Sequence, residues 1–306
     1  MNENKRALSL IVFIVALGAV LIQTKKTSLS SDITNDEIMD HIRYLSHENR
    51  GGRYPGTRGS RDVIAYMTRH LKSYGIEPGV KDSYVQPFDI TSGIKLGKRN
   101  YAHVNGDSIF VEEDYIPLWF SSSGTTEGPV VFAGYGFDIK EEGLQWNDYN
   151  ELDVKGKWVM VMRHSPEREN THSLFAKYSP LHKKMLVARD RGAIGIIFIS
   201  QIEDDGLFPL NYTPGYSNAE IPALHFSNNL ADRVLRGVGW SREKIQKTMN
   251  RSREPVNFII NDQILNADVD LELVTTRCAN VIGEIKRDRK STRLNSSHRC
   301  ISYAVF

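Results

Sequence analysis

Apolar residues are distributed along this chain in three distinct ways. Residues 7–22 are apolar except for Ser9 and Gly18, and they follow Lys5 and Arg6. A basic start and a sixteen-residue apolar run predict export. The run is short for a full membrane span and long for a signal. A cleaved signal peptide and an uncleaved signal-anchor (residues 1–26) both fit. Gln23, Thr24, Lys25 and Lys26 follow instead of a small-x-small pair, and Ser28 with Ser30 offers only a late cleavage pair, which favours the anchor.

Helical spacing comes next. Thr34 with Glu37 has the form of a capping box, and Ile38, Ile42 and Leu45 recur on one helical face. Gly51-Gly52 ends that helix. After the loop Arg53-Tyr54-Pro55-Gly56-Thr57, Ser60 is the expected N-cap of a second helix. Its stripe is Val63, Ile64, Met67, Leu71 and Tyr74, with Gly75 as the residue beyond the C-cap.

From about Asn100 the pattern turns to short strands: 109–111, 130–133, 158–162, 194–199 and 221–226. The run Ile194-Gly195-Ile196-Ile197-Phe198-Ile199 is continuously apolar, so both its faces are expected to be covered. A helix at 183–191 capped by Gly192 precedes it. Asn228 or Asn229 is the expected cap of a helix to Leu235, and Ser241 of one to Met249. Strands return at 256–260, 269–274 and 278–285. In the second of these, Val269, Leu271 and Leu273 alternate with Asp268, Asp270 and Glu272, predicting one buried and one wet face.

Composition refines this picture. The 306 residues carry a formal net charge of +2, but residues 288–306 hold four basic residues against one acidic and residues 1–26 four against one. The remaining body is mildly acidic, which argues against a nucleic-acid partner. Two cysteines, Cys278 and Cys300, make neither a disulfide framework nor a zinc-ligand spacing. His47-Glu48 continues as Asn-Arg-Gly, so there is no His-Glu-x-x-His. Ser121-Ser122-Ser123-Gly124 is a polar loop, and Gly134-Tyr135-Gly136 lacks the third glycine of a dinucleotide site. His164 without a spaced partner reads as a loop histidine, Glu203-Asp204-Asp205 as a solvated loop, and the four tryptophans as scattered packing.

Taken in order, several motifs resemble the exported di-zinc aminopeptidases that carry an inserted protease-associated (PA) domain. They are Gly52-Arg53-Tyr54-Pro55-Gly56-Thr57, Gly75-Ile76-Glu77-Pro78, Gln86-Pro87-Phe88, Phe132-Ala133-Gly134-Tyr135-Gly136, Trp146-Asn147-Asp148-Tyr149, Lys155-Gly156-Lys157-Trp158-Val159, Gly192-Ala193-Ile194-Gly195-Ile196-Ile197 and Asn280-Val281-Ile282-Gly283. The resemblance spans roughly residues 32–286. It implies an α/β (α+β) fold: residues 27–99 open a peptidase sandwich, 100–262 form the PA insert, and 263–287 return to the peptidase sheet. It further implies two zinc ions that activate a water, a glutamate base, peptide substrates, and a PA domain that walls the mouth of the site.

The family's first zinc ligands, a His-x-Asp pair, are expected soon after the Asn-Val-Ile-Gly strand. No such pair follows Ile285, and residues 288–306 resemble translated sequencing adapter. No catalytic or metal-binding residue is therefore carried onto any position, and substrate-binding residues are unknown. The expectation is an inactive N-terminal part of an extracytoplasmic zinc aminopeptidase: no zinc of its own, membrane contact through residues 7–22 if the signal is retained, and no nucleic-acid partner. The alternative is a membrane-tethered, non-catalytic PA module that binds a protein or peptide.

Overall fold

The computed structural model describes residues 33–215 and 220–285. The apolar run at 7–22 and the segment 288–306 lie outside the described residues. Among those described, no helix is long and apolar enough to cross a membrane. The chain divides into two compact units, one containing residues 33–85 with 281–285, the other Gln86–Asn280.

In the first unit, α1 (Asn35–Ser46) starts at the expected capping box. Glu37 N–H donates to Thr34 Oγ1 at 3.3 Å, and Thr34 N–H donates back to the Glu37 carboxylate at 3.0 Å. A 3₁₀ segment (Glu48–Arg53) follows, with Gly51 and Gly52 at positive φ. Helix α2 (Arg58–Ser73) starts earlier than expected. Thr57, in extended conformation, is the N-cap, and Ser60 is buried inside the first turn with its N–H on Thr57 Oγ1. His41 of α1 sits between two tyrosine hydroxyls, Tyr66 at 2.6 Å and Tyr74 at 3.0 Å.

Gly75 closes α2 in a Schellman turn: Ile76 N–H donates to Leu71 O and Gly75 N–H to Lys72 O. The chain then forms β1 (Glu77–Pro78), which pairs antiparallel with the last strand, β14 (Gly283–Glu284). The Gly-Ile-x-Pro and Asn-Val-Ile-Gly motifs are therefore two sides of one contact. A Cβ on Gly283 would lie 2.6 Å from Ile76 Cγ2, and one on Gly79 would lie 2.4 Å from Ile282 Cγ2.

The second unit is built on an eight-stranded sheet. Its strands, in chain order, are β3 (Tyr101–Val104), β4 (Asp107–Ile109), β5 (Tyr115–Pro117), β6 (Gly124–Ala133), β9 (Trp158–Met162), β10 (Gly195–Ile199), β11 (Ala223–Phe226) and β12 (Asn257–Val269). In space the order is β4-β3-β12-β6-β9-β10-β11-β5. Neighbours from β6 to β11 run parallel and the others antiparallel. The end strands β4 and β5 are joined by residues 110–114 alone. A flat sheet of this order would separate them by about 33 Å, whereas so few residues reach about 20 Å. The sheet therefore rolls into a barrel-like wall.

Strands β9 and β10 are buried at every position, as a continuous apolar run requires when both faces are covered. Trp158, Met160 and Met162 join the core that includes α4 (Asn228–Arg236) and α5 (Arg242–Ser252); Val159 and Val161 join the one that includes α3 (Leu181–Asp190). Helix α4 is capped by Ser227 rather than an asparagine, and α5 by Ser241 as expected. Trp146 and Trp158 are buried, and Trp119 and Trp240 pack on the two cores.

The alternation at 268–274 misleads. Val269 ends β12, a single strand with a register shift between Ile259 and Ile264. Leu271 begins β13 (Leu271–Val281), which pairs instead with β2 (Val85–Leu96) in a two-stranded ribbon. Asp268 is buried and Leu273 is 60% exposed, against the pattern, because the period crosses from one sheet to another at Asp270. The segment 278–285 likewise does not enter a large sheet among the described residues. It finishes the β13 ribbon and then makes β14. A further hairpin, β7 (Asp138–Glu141) with β8 (Leu144–Asn147), follows the Gly134 loop.

Candidate functional site

The loops at the carboxyl ends of β6, β9 and β10 converge, and in sheets with parallel strands this edge is where ligand crevices form. The first loop is Gly134-Tyr135-Gly136. It wraps the carboxylate of Asp148, which is fully enclosed. Asp148 accepts the N–H groups of Tyr135 (3.1 Å) and Phe137 (2.8 Å) and the indole N–H of Trp146 (2.8 Å). Gly134 is obligatory here. Its φ is +46°, and a Cβ would fall 2.0 Å from Asp148 Oδ1. Burial raises the Asp148 carboxyl to about 7 against the pull of those donors.

Beneath this loop lies Lys184 of α3, 1% exposed. Its ammonium donates to the carbonyls of Met162 (2.8 Å) and His164 (2.6 Å) and sits 4.6 Å from the Phe137 ring. Burial pushes Lys184 well below its ordinary range. The paired shifts mark a structural anchor for the strand ends, since neither group faces a cleft.

The second and third loops, beginning at Arg163 and at Ser200, are tied together through Asp204. Its carboxylate accepts Arg168 Nη2 at 3.1 Å and meets His164 Nε2 at 3.0 Å and Arg163 Nη1 at 3.8 Å. Asp204 is thus a paired, half-buried hub and not the free solvated loop acid that its neighbours Glu203 and Asp205 imply. Burial acts to raise its pKa, but the Arg168 hydrogen bond and the Arg163 and His164 charges outweigh it and hold the carboxyl low. Burial and the two arginines depress His164. The structure brings His164 and Asp204 together across forty residues of sequence. Spacing alone gives no signal of this pair.

Next to this hub, His225 is fully buried. Its Nδ1 accepts Phe208 N–H at 3.1 Å, so Nε2 carries the proton and faces Ser200 Oγ at 3.0 Å. Burial, with Arg163 nearby, lowers His225 to about 3. A serine facing a histidine suggests nucleophilic chemistry, but this imidazole holds its proton on the side facing the hydroxyl. It does not act as the base a serine nucleophile needs.

Above these groups opens a cleft of about 450 Å³, floored by Gln201 and bordered by Glu167, Arg168, Glu203, Gln246 and Arg253. Tyr135 OH donates to Asn250 Oδ1 and accepts from Gln201 Nε2, linking the first loop to α5. Arg253 spans the cleft to Glu167 at 2.9 Å. The lining is mainly amides and ion pairs with the Ser165 hydroxyl, suited to polar binding. Among the described residues no group of three or more His, Cys, Asp or Glu side chains is gathered for a metal. They do not fit a two-zinc centre.

Residues 126–234 match the family model for the PA domain, so the chain is a mixed α/β protein containing a PA domain. Over 184 residues it is 24% identical to the probable glutamate carboxypeptidase AMP1 of Arabidopsis thaliana, covering 58% of this chain and 23% of that protein. Among solved structures it is similar to the aminopeptidase from Aneurinibacillus sp. strain AM-1 (19% identity, TM-score 0.43, 84% of this chain and 49% of that one). A zinc aminopeptidase from Bacillus subtilis is also similar (14%, TM-score 0.34, 82% and 47%). The chain spans about half the length of these structures and under a quarter of the plant relative.

Proposed function

We propose that this chain is the opening segment and PA insert of an exported zinc aminopeptidase. In this reading the insert proposed from the sequence at 100–262, between 27–99 and 263–287, lies within the compact unit Gln86–Asn280, and the zinc ligands and the general base belong to residues outside 33–285. The observation that carries the reading is the seam at Glu77–Pro78 and Gly283–Glu284. The PA unit leaves and rejoins a second unit at adjacent points, as an insertion must, and the seam is made from the motifs that resemble the peptidase family. The plant relative, itself named a peptidase, adds support. In the whole enzyme a zinc-activated water would cleave the N-terminal residue from peptides, and the PA unit would limit which peptides reach it.

The test compares two proteins, this 306-residue chain and a natural gene product carrying a His-x-Asp pair after the Asn280-Val281-Ile282-Gly283 strand. The longer product is expected to hold two zinc ions and release arylamine from aminoacyl arylamides until chelated. The present chain is expected to do neither. Chelator-sensitive activity in the present chain would overturn its inactivity. A natural gene without the His-x-Asp pair would overturn the peptidase reading. Removing residues 100–262 from the active enzyme is expected to broaden substrate size.

A second reading draws on the compactness of the Gln86–Asn280 unit, which holds both large apolar cores. On that reading the chain is a membrane-tethered PA module that binds protein or peptide without catalysis, its cleft above Gln201 serving as the site.

A further inference from the structure

The Gln86–Asn280 unit is electrostatically lopsided. It contains 26 acidic and 21 basic residues, yet its segment 228–254 contains seven basic and three acidic. That segment is net +4 and everything else in the unit is net −9. The excess is displayed by α5. Lys244, Lys247 and Arg251 follow at intervals of three and four, which stacks them on one side of the helix. All three are exposed, and with Ser241, Glu243 and Thr248 they line a shallow surface depression of about 340 Å³.

Local partners leave most of this charge unspent. Glu243 takes Lys247. Lys244 lies 4.5 Å from the Trp240 ring and touches Gly239 O at 3.2 Å, neither of which neutralises it. Thr248 turns its hydroxyl back to Lys244 O at 2.7 Å, so Glu243 is the carboxylate set against three cations here and the row stays net cationic. On the neighbouring helix α4, Arg233 and Arg236 are exposed as well. Asp232 is committed to Arg242 at 3.2 Å.

We infer that the outer face of α5 is a docking surface for an anionic phospholipid bilayer. The row is straight, about 10 Å long at ~1.5 Å per residue, and borders only a shallow, open depression. That shape meets a plane of phosphates better than it encloses a small anion. The unit's acidic remainder is repelled by the same plane, so the charge asymmetry also fixes which way the unit turns. Residues 7–22, flanked by Lys5, Arg6, Lys25 and Lys26, supply the reason for a bilayer over a soluble polyanion. A tether makes a weak patch sufficient by raising its effective concentration at the surface. This choice of occupant rests on the membrane-tethered reading of residues 1–26 and is independent of the zinc-peptidase reading, which metal content tests separately.

The experiment is vesicle sedimentation of the full 306-residue chain. Vesicles of phosphatidylcholine alone are compared with equal parts phosphatidylcholine and phosphatidylglycerol. The wild-type chain is expected to prefer the anionic vesicles and to lose the preference as salt rises from about 0.1 M to about 1 M, where screening contracts from ~10 Å to ~3 Å. Each basic side chain near an anionic surface contributes roughly fivefold. The triple variant Lys244→Gln, Lys247→Gln, Arg251→Gln should therefore lose on the order of a hundredfold of that preference while binding neutral vesicles as before. Lys98→Gln with Lys140→Gln, exposed lysines elsewhere on the unit, should change little. Lys247→Gln and Arg251→Gln are also made singly and each compared by thermal midpoint, so that a fold defect is distinguished from lost docking. Equal binding of the wild type to both vesicles would overturn the inference, as would an undiminished preference in the folded triple variant. So would a salt-sensitive dimer, or heparin binding without vesicle binding, that depends on the same three residues.

Discussion

At Gly134 the fold admits no side chain larger than hydrogen. The Asp148 carboxylate occupies the place where a Cβ would stand, and the backbone there is left-handed. Gly134→Ala is expected to destabilise the chain by about 3 kcal/mol or more, from overpacking and from the conformational penalty together. Urea unfolding with tryptophan fluorescence reads this directly, and a change below about 1 kcal/mol would refute the account. His225 makes a second prediction. It titrates near 3 when folded and near 6.5 when unfolded, so between these values only the unfolded chain binds the proton. Stability present above pH 6.5 is lost as pH falls towards 3, about 3 kcal/mol by pH 4. His225→Gln keeps an acceptor for Phe208 N–H and should show a shallower fall in urea midpoint from pH 7 to pH 4; parallel profiles would refute the role. At this scale the sequence was half legible. Gly134, Asp148 and the flanking aromatics stand out as motif residues, but nothing in their spacing says that the glycine makes room for the acid. The buried Lys184 and the His164–Asp204 pair gave no signal, because their partners are backbone carbonyls or residues far away in sequence.

Elements were legible where one environment governs a whole segment. Strands β9 and β10 are apolar throughout because both faces are covered, and the capping box of α1 is a purely local bond pattern. Segment 268–274 misleads because its alternation is continuous while its surroundings are not: β12 ends at Val269 and β13 starts at Leu271. Cap positions slipped for a related reason. Thr57 and Ser227 win over Ser60 and the asparagines because they hold the extended backbone that a cap needs. The seam between β1 and β14 depends on Gly283, packed against Ile76 and Leu71 at the end of α2. Gly283→Ala is expected to loosen that seam selectively. Hydrogen exchange should quicken in residues 71–85 and stay unchanged in 158–162 and 195–199; uniform quickening would mean the seam is not a separate element.

At the level of the whole molecule, the two readings of function differ in what the first unit is worth alone. Helix α1 buries none of its residues, and Ile38, Met39 and Ile42 are each more than 40% exposed. Under the insertion reading, limited trypsin digestion is expected to trim residues 33–85 and leave a stable core close to Gln86–Asn280. Protection extending from residue 33 to 285 would favour the self-sufficient module. The PA domain was legible as an order of motifs, each weak by itself. The rolled sheet was not legible, since closure follows from which strands pair and not from any one strand's composition.

The β2–β13 ribbon has a consequence for how the chain is made. Gln86 and Asn280 lie side by side, their side chains 3.3 Å apart. To bring Glu77 to Glu284 an unfolded chain must close a loop of about two hundred residues, with an entropy cost that grows as the logarithm of loop length. Once Gln86–Asn280 has folded, that loop contracts to the width of one ribbon. The unit emerging in the middle of synthesis thus acts as an intramolecular template. Its folding delivers the ends of the segments on either side to one another, so their pairing no longer bears the full cost of closing the long loop.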